Sequence, residues 1–240
     1  MKPQITENKQ KPEKASLFQV FSKAAKWPFF IVLLMFLVHF IEFFTESDFH
    51  TFGLYPRRLE HLMGLFFSPF LHGSWDHLFG NITSFFGLSV LLLFFYPRRG
   101  YTILFLTFIL SGFLAWIGVR SNFHIGASGW VYALAFYLFF NALFDPNRKA
   151  LAISFVVVMF YGSMIWGILP LPDYLHISWD GHFFGALTGL ILAYLLPGYL
   201  PKVVRDDYSW EKEQAILTDL EHKPVIYEEV MPSKESSFED

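Results

Sequence analysis

His77–Tyr96 reads HLFGNITSFFGLSVLLLFFY, and after the joint Pro97-Arg98-Arg99-Gly100 a second run, Tyr101–Val119, reads YTILFLTFILSGFLAWIGV. Neither run contains Lys, Arg, Asp or Glu, and each is close to the ~20 residues that a helix needs to cross a ~30 Å hydrocarbon core. Backbone polar groups in lipid must be satisfied within the segment, so such runs read as helices and not as strands. Four more stretches are of similar length and character: Trp27–Phe44, Ile125–Phe144, Ala150–Leu169 and His182–Tyr199. Short polar joints separate most of them, notably Arg120–His124 and Asp145–Lys149. The expected fold is therefore all-α: a polytopic membrane protein with six transmembrane helices.

Composition agrees. Of 240 residues, 54% are hydrophobic and 16% charged, against about a quarter charged in a soluble domain. A net charge of −3 leaves no basic footprint for nucleic acid. The absence of Cys excludes disulfides, thiolate zinc sites and cysteine nucleophiles. Charge also orients the bundle. With a cytoplasmic N-terminus, only Arg57, Arg58 and Arg120 of the 18 Lys and Arg fall on the outer side. That bias follows the positive-inside rule and puts both termini in the cytoplasm. The first apolar stretch lacks a small-residue cleavage site and reads as a retained helix.

Three regions flank the spans. Residues 1–26, rich in Lys, Glu, Gln and Pro, read as a mobile cytoplasmic arm. Residues 45–76 form a long outer loop too apolar for disorder, whose Leu62–Leu71 portion is expected at the membrane interface or packed on the bundle. Residues 200–240 make an acidic cytoplasmic tail, with one helix expected near Trp210–Leu220 and a disordered end. The membrane domain proper is residues 27–199.

Polar residues inside spanning helices are costly, so each is a functional candidate. Two helix starts share a pattern, Ser74-Trp75-Asp76-His77 and Ser178-Trp179-Asp180-Gly181-His182. Ser fits an N-cap, Asp suits the positive end of the helix dipole and Trp the interface, so Asp76 and Asp180 read as helix-start residues without a catalytic role. Asp180 also lies about 200° around the helix from His182, which keeps it from orienting that imidazole. His77 and Asn81, at i and i+4, share a face of the second helix. His182, Gly185 and Gly189 share a face of the sixth, where the glycines admit a neighbouring backbone. Gly126-Ala127-Ser128-Gly129 opens the fourth. A G-x-S-G match alone arises by chance in roughly one chain in ten at ordinary glycine frequency. Topology adds weight, because helices two, four and six all begin on the outer side. Ser128, His182 and the His77/Asn81 pair thus come to similar depth from three segments. A hydroxyl, an imidazole and amide or imidazole donors are what acyl transfer requires.

With these blocks in this order, residues 27–199 resemble the rhomboid intramembrane serine proteases of the six-helix prokaryotic type. The resemblance rests on His72-x4-His77-x3-Asn81, Gly126-Ala127-Ser128-Gly129 and His182-x2-Gly185-x3-Gly189. It implies a Ser128 nucleophile, a His182 general base without a carboxylate partner, and an oxyanion hole from His77, Asn81 and the Ser128 backbone N–H. His72, Gly126, Gly129, Gly185 and Gly189 would be structural support. Many rhomboids carry a Trp-Arg pair in the first loop; counting back from His72, that place reads Met63-Gly64, and Arg57 and Arg58 lie earlier with no Trp before them.

The resemblance further implies transmembrane segments of other membrane proteins as substrates, entering from the bilayer. The site would open to the outer side of a bacterial plasma membrane. No cofactor or metal is implied. Rival readings are a haem or metal protein using His77 and His182, which leaves the G-x-S-G block without a reason, and a transporter, which the scarcity of intramembrane acids disfavours. A catalytically silent rhomboid-like binder or chaperone is the main alternative, although such relatives generally lose the Ser or the His.

Overall fold

The computed structural model describes residues 16–145, 147–171 and 178–198. Among the described residues the ordered elements are helices, and the only strand-like pairing is one isolated antiparallel bridge, Leu54 to His124. The α-helices are α1 Leu17–Thr45, α2 Gly64–Phe67, α3 Trp75–Phe95, α4 Gly100–Gly118, α5 Ser128–Phe144, α6 Arg148–Tyr161 and α7 Trp179–Leu195. Each apolar stretch of the sequence thus has its helix, and α2 is a single turn within the outer loop.

Four helical stretches are long and apolar enough to cross a membrane: Leu17–Thr45, Trp75–Phe95, Gly100–Gly118 and Arg148–Ile168. The two remaining long helices, α5 and α7, have 17 residues each, about 25 Å at ~1.5 Å per residue and short of a ~30 Å core. Helix length alone therefore establishes fewer than the six crossings expected from the sequence.

Two boundaries differ from the apolar pattern. Helix α1 starts at Leu17, well ahead of Trp27, because Ser16 and Gln19 form a capping box: Ser16 Oγ accepts from the Gln19 N–H at 3.2 Å and Gln19 Oε1 from the Ser16 N–H at 2.8 Å. Part of the expected N-terminal arm is therefore helical. The expected fifth helix, Ala150–Leu169, changes winding: α6 ends at Tyr161 and a 3-10 helix runs on through Gly162–Ile168. Residues 1–15 of the arm and residues 199–240, including the expected Trp210–Leu220 helix, lie outside the described residues.

Helix α5 occupies the centre. Its Trp130 ring sits between Phe85 of α3 and Phe108 of α4, with centroids 4.4 and 4.8 Å away. The indole N–H donates to Thr107 Oγ1 at 3.0 Å, so a buried polar atom is satisfied. Helix α7 lies against α5 backbone to backbone. A Cβ at Gly185 would overlap the Gly129 carbonyl, and one at Gly189 would overlap that of Ala133. Small residues that let two helix backbones touch are a membrane-helix packing device. The Leu62–Leu71 segment packs on the bundle: Leu65 is buried with Leu54 and Val119 against α4.

Candidate functional site

Ser128 is the first residue of α5, so its backbone N–H belongs to the helix-start donors that have no intrahelical acceptor. Its side chain and that of His182, in the first turn of α7, line one open cavity of ≈ 1040 Å³ together with His77 and Asn81. The contact of Gly129 with Gly185 directly below draws these two helix starts together.

Two contacts hold the His182 ring. It stacks on Tyr132, with centroids 4.3 Å apart and 12° between planes. Nδ1 is 2.9 Å from the Gly167 carbonyl oxygen. A carbonyl only accepts, so Nδ1 carries the proton of the neutral ring and Nε2 keeps its lone pair. Tyr132 is itself tied to the same segment, donating its hydroxyl to the Met164 carbonyl at 2.8 Å. The 3-10 stretch after α6 thus turns two backbone carbonyls onto the His182 environment.

Gly126 joins the remaining members. Its φ of +103° is one that side-chain-bearing residues rarely adopt, and a Cβ there would stand 2.6 Å from His77 Nε2 and 3.3 Å from Asn81 Nδ2. Only glycine lets the segment before Ser128 lie this close to both. The Asn81 amide nitrogen is buried without a protein partner, which leaves a donor available beside the serine. His72 lies behind His77, with ring centroids 5.1 Å apart, and is 2% exposed. It stands outside the cavity and supports the His77 ring from behind.

Asp180 does not address His182. It is 4% exposed, and its Oδ2 accepts from the Arg120 backbone N–H at 2.7 Å and from Arg120 Nε at 3.1 Å. Its Oδ1 lies 3.3 Å from both Arg120 Nη2 and Ser178 Oγ. Ser178 corrects one expectation: it occupies the N-cap position of α7, but its hydroxyl makes no cap bond and instead meets His124 Nδ1 at 2.7 Å. Ser74, by contrast, caps α3 by accepting from the His77 N–H at 3.2 Å.

The place where a Trp-Arg pair was sought, Met63-Gly64, serves packing, since a Cβ at Gly64 would overlap the Gly53 carbonyl. A Trp and an Arg do meet nearby, from different segments. Arg57, at φ 58°, donates its backbone N–H to the Trp116 carbonyl at 3.0 Å and its guanidinium to the Ile117 and Val119 carbonyls at 2.9 Å each. These bonds satisfy carbonyls at the C-terminal end of α4.

Sequence reasoning missed Tyr132, Gly167, Arg120 and His39. Tyr132 stands at i+4 from Ser128, a same-face spacing visible in the sequence. His39, buried in α1 with its ring 4.6 Å from that of Trp75, was visible as a polar residue in an apolar run. Gly167 contributes only a backbone oxygen, which no residue type announces.

Residues 59–199 match the family model described as "Rhomboid domain". The uncharacterized protein Mb1372 of Mycobacterium bovis is 34% identical over 173 residues, covering 69% of this chain and 72% of that protein. The uncharacterized protein Rv1337 of Mycobacterium tuberculosis matches to the same extent, at 34% over 173 residues. The uncharacterized protein ML1171 of Mycobacterium leprae is 31% identical over 171 residues, covering 68% of this chain and 67% of its own.

Proposed function

The chain belongs to the rhomboid family of integral membrane proteins, and on that premise we propose that it is an intramembrane serine endopeptidase working through a Ser128–His182 dyad. One observation carries the reading. The Gly167 carbonyl holds the His182 Nδ1 proton, so the basic Nε2 is the nitrogen left for a serine that lines the same cavity. In serine proteases with a triad, a carboxylate fixes this tautomer; here a backbone oxygen fills that part.

The chemistry follows from the groups present. Nε2 takes the Ser128 hydroxyl proton as Oγ attacks the scissile carbonyl carbon. The developing oxyanion is met by the Ser128 N–H, the Asn81 amide and the His77 imidazole. Collapse breaks the C–N bond, and His182 returns the proton to the leaving amine, which leaves an acyl-serine ester. Water, deprotonated by the same Nε2, then hydrolyses the ester and regenerates both groups. Substrates on this reading are transmembrane segments of other proteins, reached from the bilayer. The charge distribution supports six crossings, cytoplasmic termini and a site opening outward. The 17-residue lengths of α5 and α7 support a site recessed below that surface.

Covalent labelling by a fluorescent fluorophosphonate in detergent tests the proposal. Wild-type protein is expected to label, while Ser128→Ala and His182→Ala do not. Asn81→Ala should slow the maximal labelling rate about 10²–10³-fold, the usual cost of one oxyanion donor, with little change in the half-saturating probe concentration. Folded wild-type protein that fails to label would move the reading to a silent membrane-protein binder.

A further inference from the structure

We infer that the Asp180–Arg120 pair is a positioning device for the dyad, setting the distance between Ser128 and His182 by joining the loop that delivers the serine to the helix turn that delivers the histidine. This deepens the protease reading and rests on it.

Ser128 follows the loop between α4 and α5, residues 119–127, and His182 sits on the first turn of α7. Below the site the two helices are fastened at Gly129 and Gly185. Level with the site the carboxylate of Asp180 supplies the fastening. It receives the backbone N–H of Arg120 at 2.7 Å and two guanidinium nitrogens at 3.1 and 3.3 Å. Charge-assisted bonds of this kind are stronger than neutral ones, and the guanidinium gives them a fixed geometry. The Arg120 guanidinium also lies 5.3 Å from the Trp179 ring centroid, on the same turn of α7.

A second strand of the brace runs parallel. His124 Nε2 donates to the Arg120 carbonyl at 2.9 Å, and Nδ1 meets Ser178 Oγ at 2.7 Å. The loop is in turn anchored to the outer loop on its other side, by the Leu54–His124 bridge and the Gly126 N–H to the Ser68 carbonyl at 2.8 Å. The α4–α5 loop is therefore held from both sides, and on the α7 side the charged bonds converge on one carboxylate. Asp180 acts through Arg120 and touches no reacting atom. Its effect falls on the attack geometry, where a shift on the order of 1 Å costs about 10²-fold.

The test measures fluorophosphonate labelling of the full chain over a range of probe concentrations, separating the maximal rate from the half-saturating concentration, with thermal unfolding in the same detergent. Asp180→Ala should lower the maximal rate roughly 30–100-fold at unchanged half-saturation. Asp180→Asn keeps an acceptor for the Arg120 N–H and should lose roughly five- to tenfold. Arg120→Ala should fall between these, and Arg120→Lys, which keeps the charge but not the paired guanidinium geometry, should recover only part of the rate. The double variant Arg120→Ala/Asp180→Ala should be no slower than Asp180→Ala alone, because the two act as one unit. If the single losses multiply in the double variant, or if half-saturation moves while the maximal rate holds, the inference is overturned. Asp180→Asn labelling like wild type would also overturn it. Failure of the wild type itself to label overturns the protease reading, and the inference with it. Wild-type labelling with indifferent Asp180 variants defeats the inference alone.

Discussion

Helix α7 carries His182, and the 3-10 continuation of α6 touches its ring, yet α7 and α6 are held in opposite ways. Helix α7 meets α5 through bare backbone, at Gly185 against Gly129 and Gly189 against Ala133, where there is no side chain to rearrange. Helix α6 exposes most of its surface: Leu151, Phe155, Met159 and Phe160 all face outward. Its 3-10 continuation reaches the candidate site through two hydrogen bonds, Tyr132 to Met164 and His182 to Gly167. The difference separates two requirements of a dyad. The α5–α7 seam brings together the helix starts that carry Ser128 and His182, and the α6 extension fixes which His182 nitrogen carries the proton.

The largest effect should come from the seam. Gly185→Val places a branched side chain against the Gly129 carbonyl and forces the helix starts apart. Labelling by fluorophosphonate should drop at least about 10²-fold, with a lowered thermal midpoint from overpacking. Near-normal labelling would mean that the two helices adjust independently of the dyad.

Tyr132→Phe asks how much the α6 extension contributes. It removes the hydroxyl bond to Met164 and keeps the ring beneath His182. A slowing of roughly three- to tenfold is expected, since one hydrogen bond to a positioning group contributes on the order of 1 kcal/mol. Gly167→Ala should be worse by itself, because its Cβ would overlap the Tyr132 hydroxyl. Tyr132→Phe should then partly relieve Gly167→Ala. Losses that simply multiply would argue that the carbonyl and the tyrosine act separately.

Smaller still should be the outward face of α6. Phe155→Ala and Met159→Ala leave the seam and the two hydrogen bonds intact, so labelling should stay within about twofold. A tenfold change from either would show that α6 is held by its outer surface, and the contrast between the two helices would fail.

The same contrast explains what the sequence disclosed. Ser128, His182, His77 and Asn81 were legible because polar groups in apolar runs are costly and because helical spacing and outward starts bring them to one end of the bundle. Gly185 and Gly189 were legible as a shared face of small residues. The α6 extension was not. Its winding changes within an unbroken apolar stretch, and it acts through the carbonyls of Gly167 and Met164, which any residue would carry. The Asp180–Arg120 pair was hidden differently. Asp180 was visible as a helix-start residue, but its partner lies 60 positions away in a joint chosen only for being polar. Ser178 looked like a cap by residue type, and its hydroxyl turned to His124 because tertiary contact outweighed the local bond.

The smallest expected effect on labelling, none at all, falls on His72, in the outer loop just before α3, whose role shows in stability instead. Burial, with the neighbouring His77 adding to it, holds its imidazole down to about 3 from an ordinary 6.5. The folded protein therefore keeps His72 neutral at every working pH, whereas the unfolded chain takes up a proton as pH falls through 6.5. The unfolded state then binds more protons, so stability decreases as pH drops from about 7 toward 3. Between pH 7 and pH 5 this one group accounts for about 2 kcal/mol. His72→Leu removes the titration while filling the same buried space, and should flatten the acid limb of unfolding-midpoint against pH without altering where labelling is half-maximal in pH. An acid limb as steep as the wild type's would place the loss elsewhere among the buried histidines. A shifted labelling profile would bring His72 out of its supporting position and into the reaction.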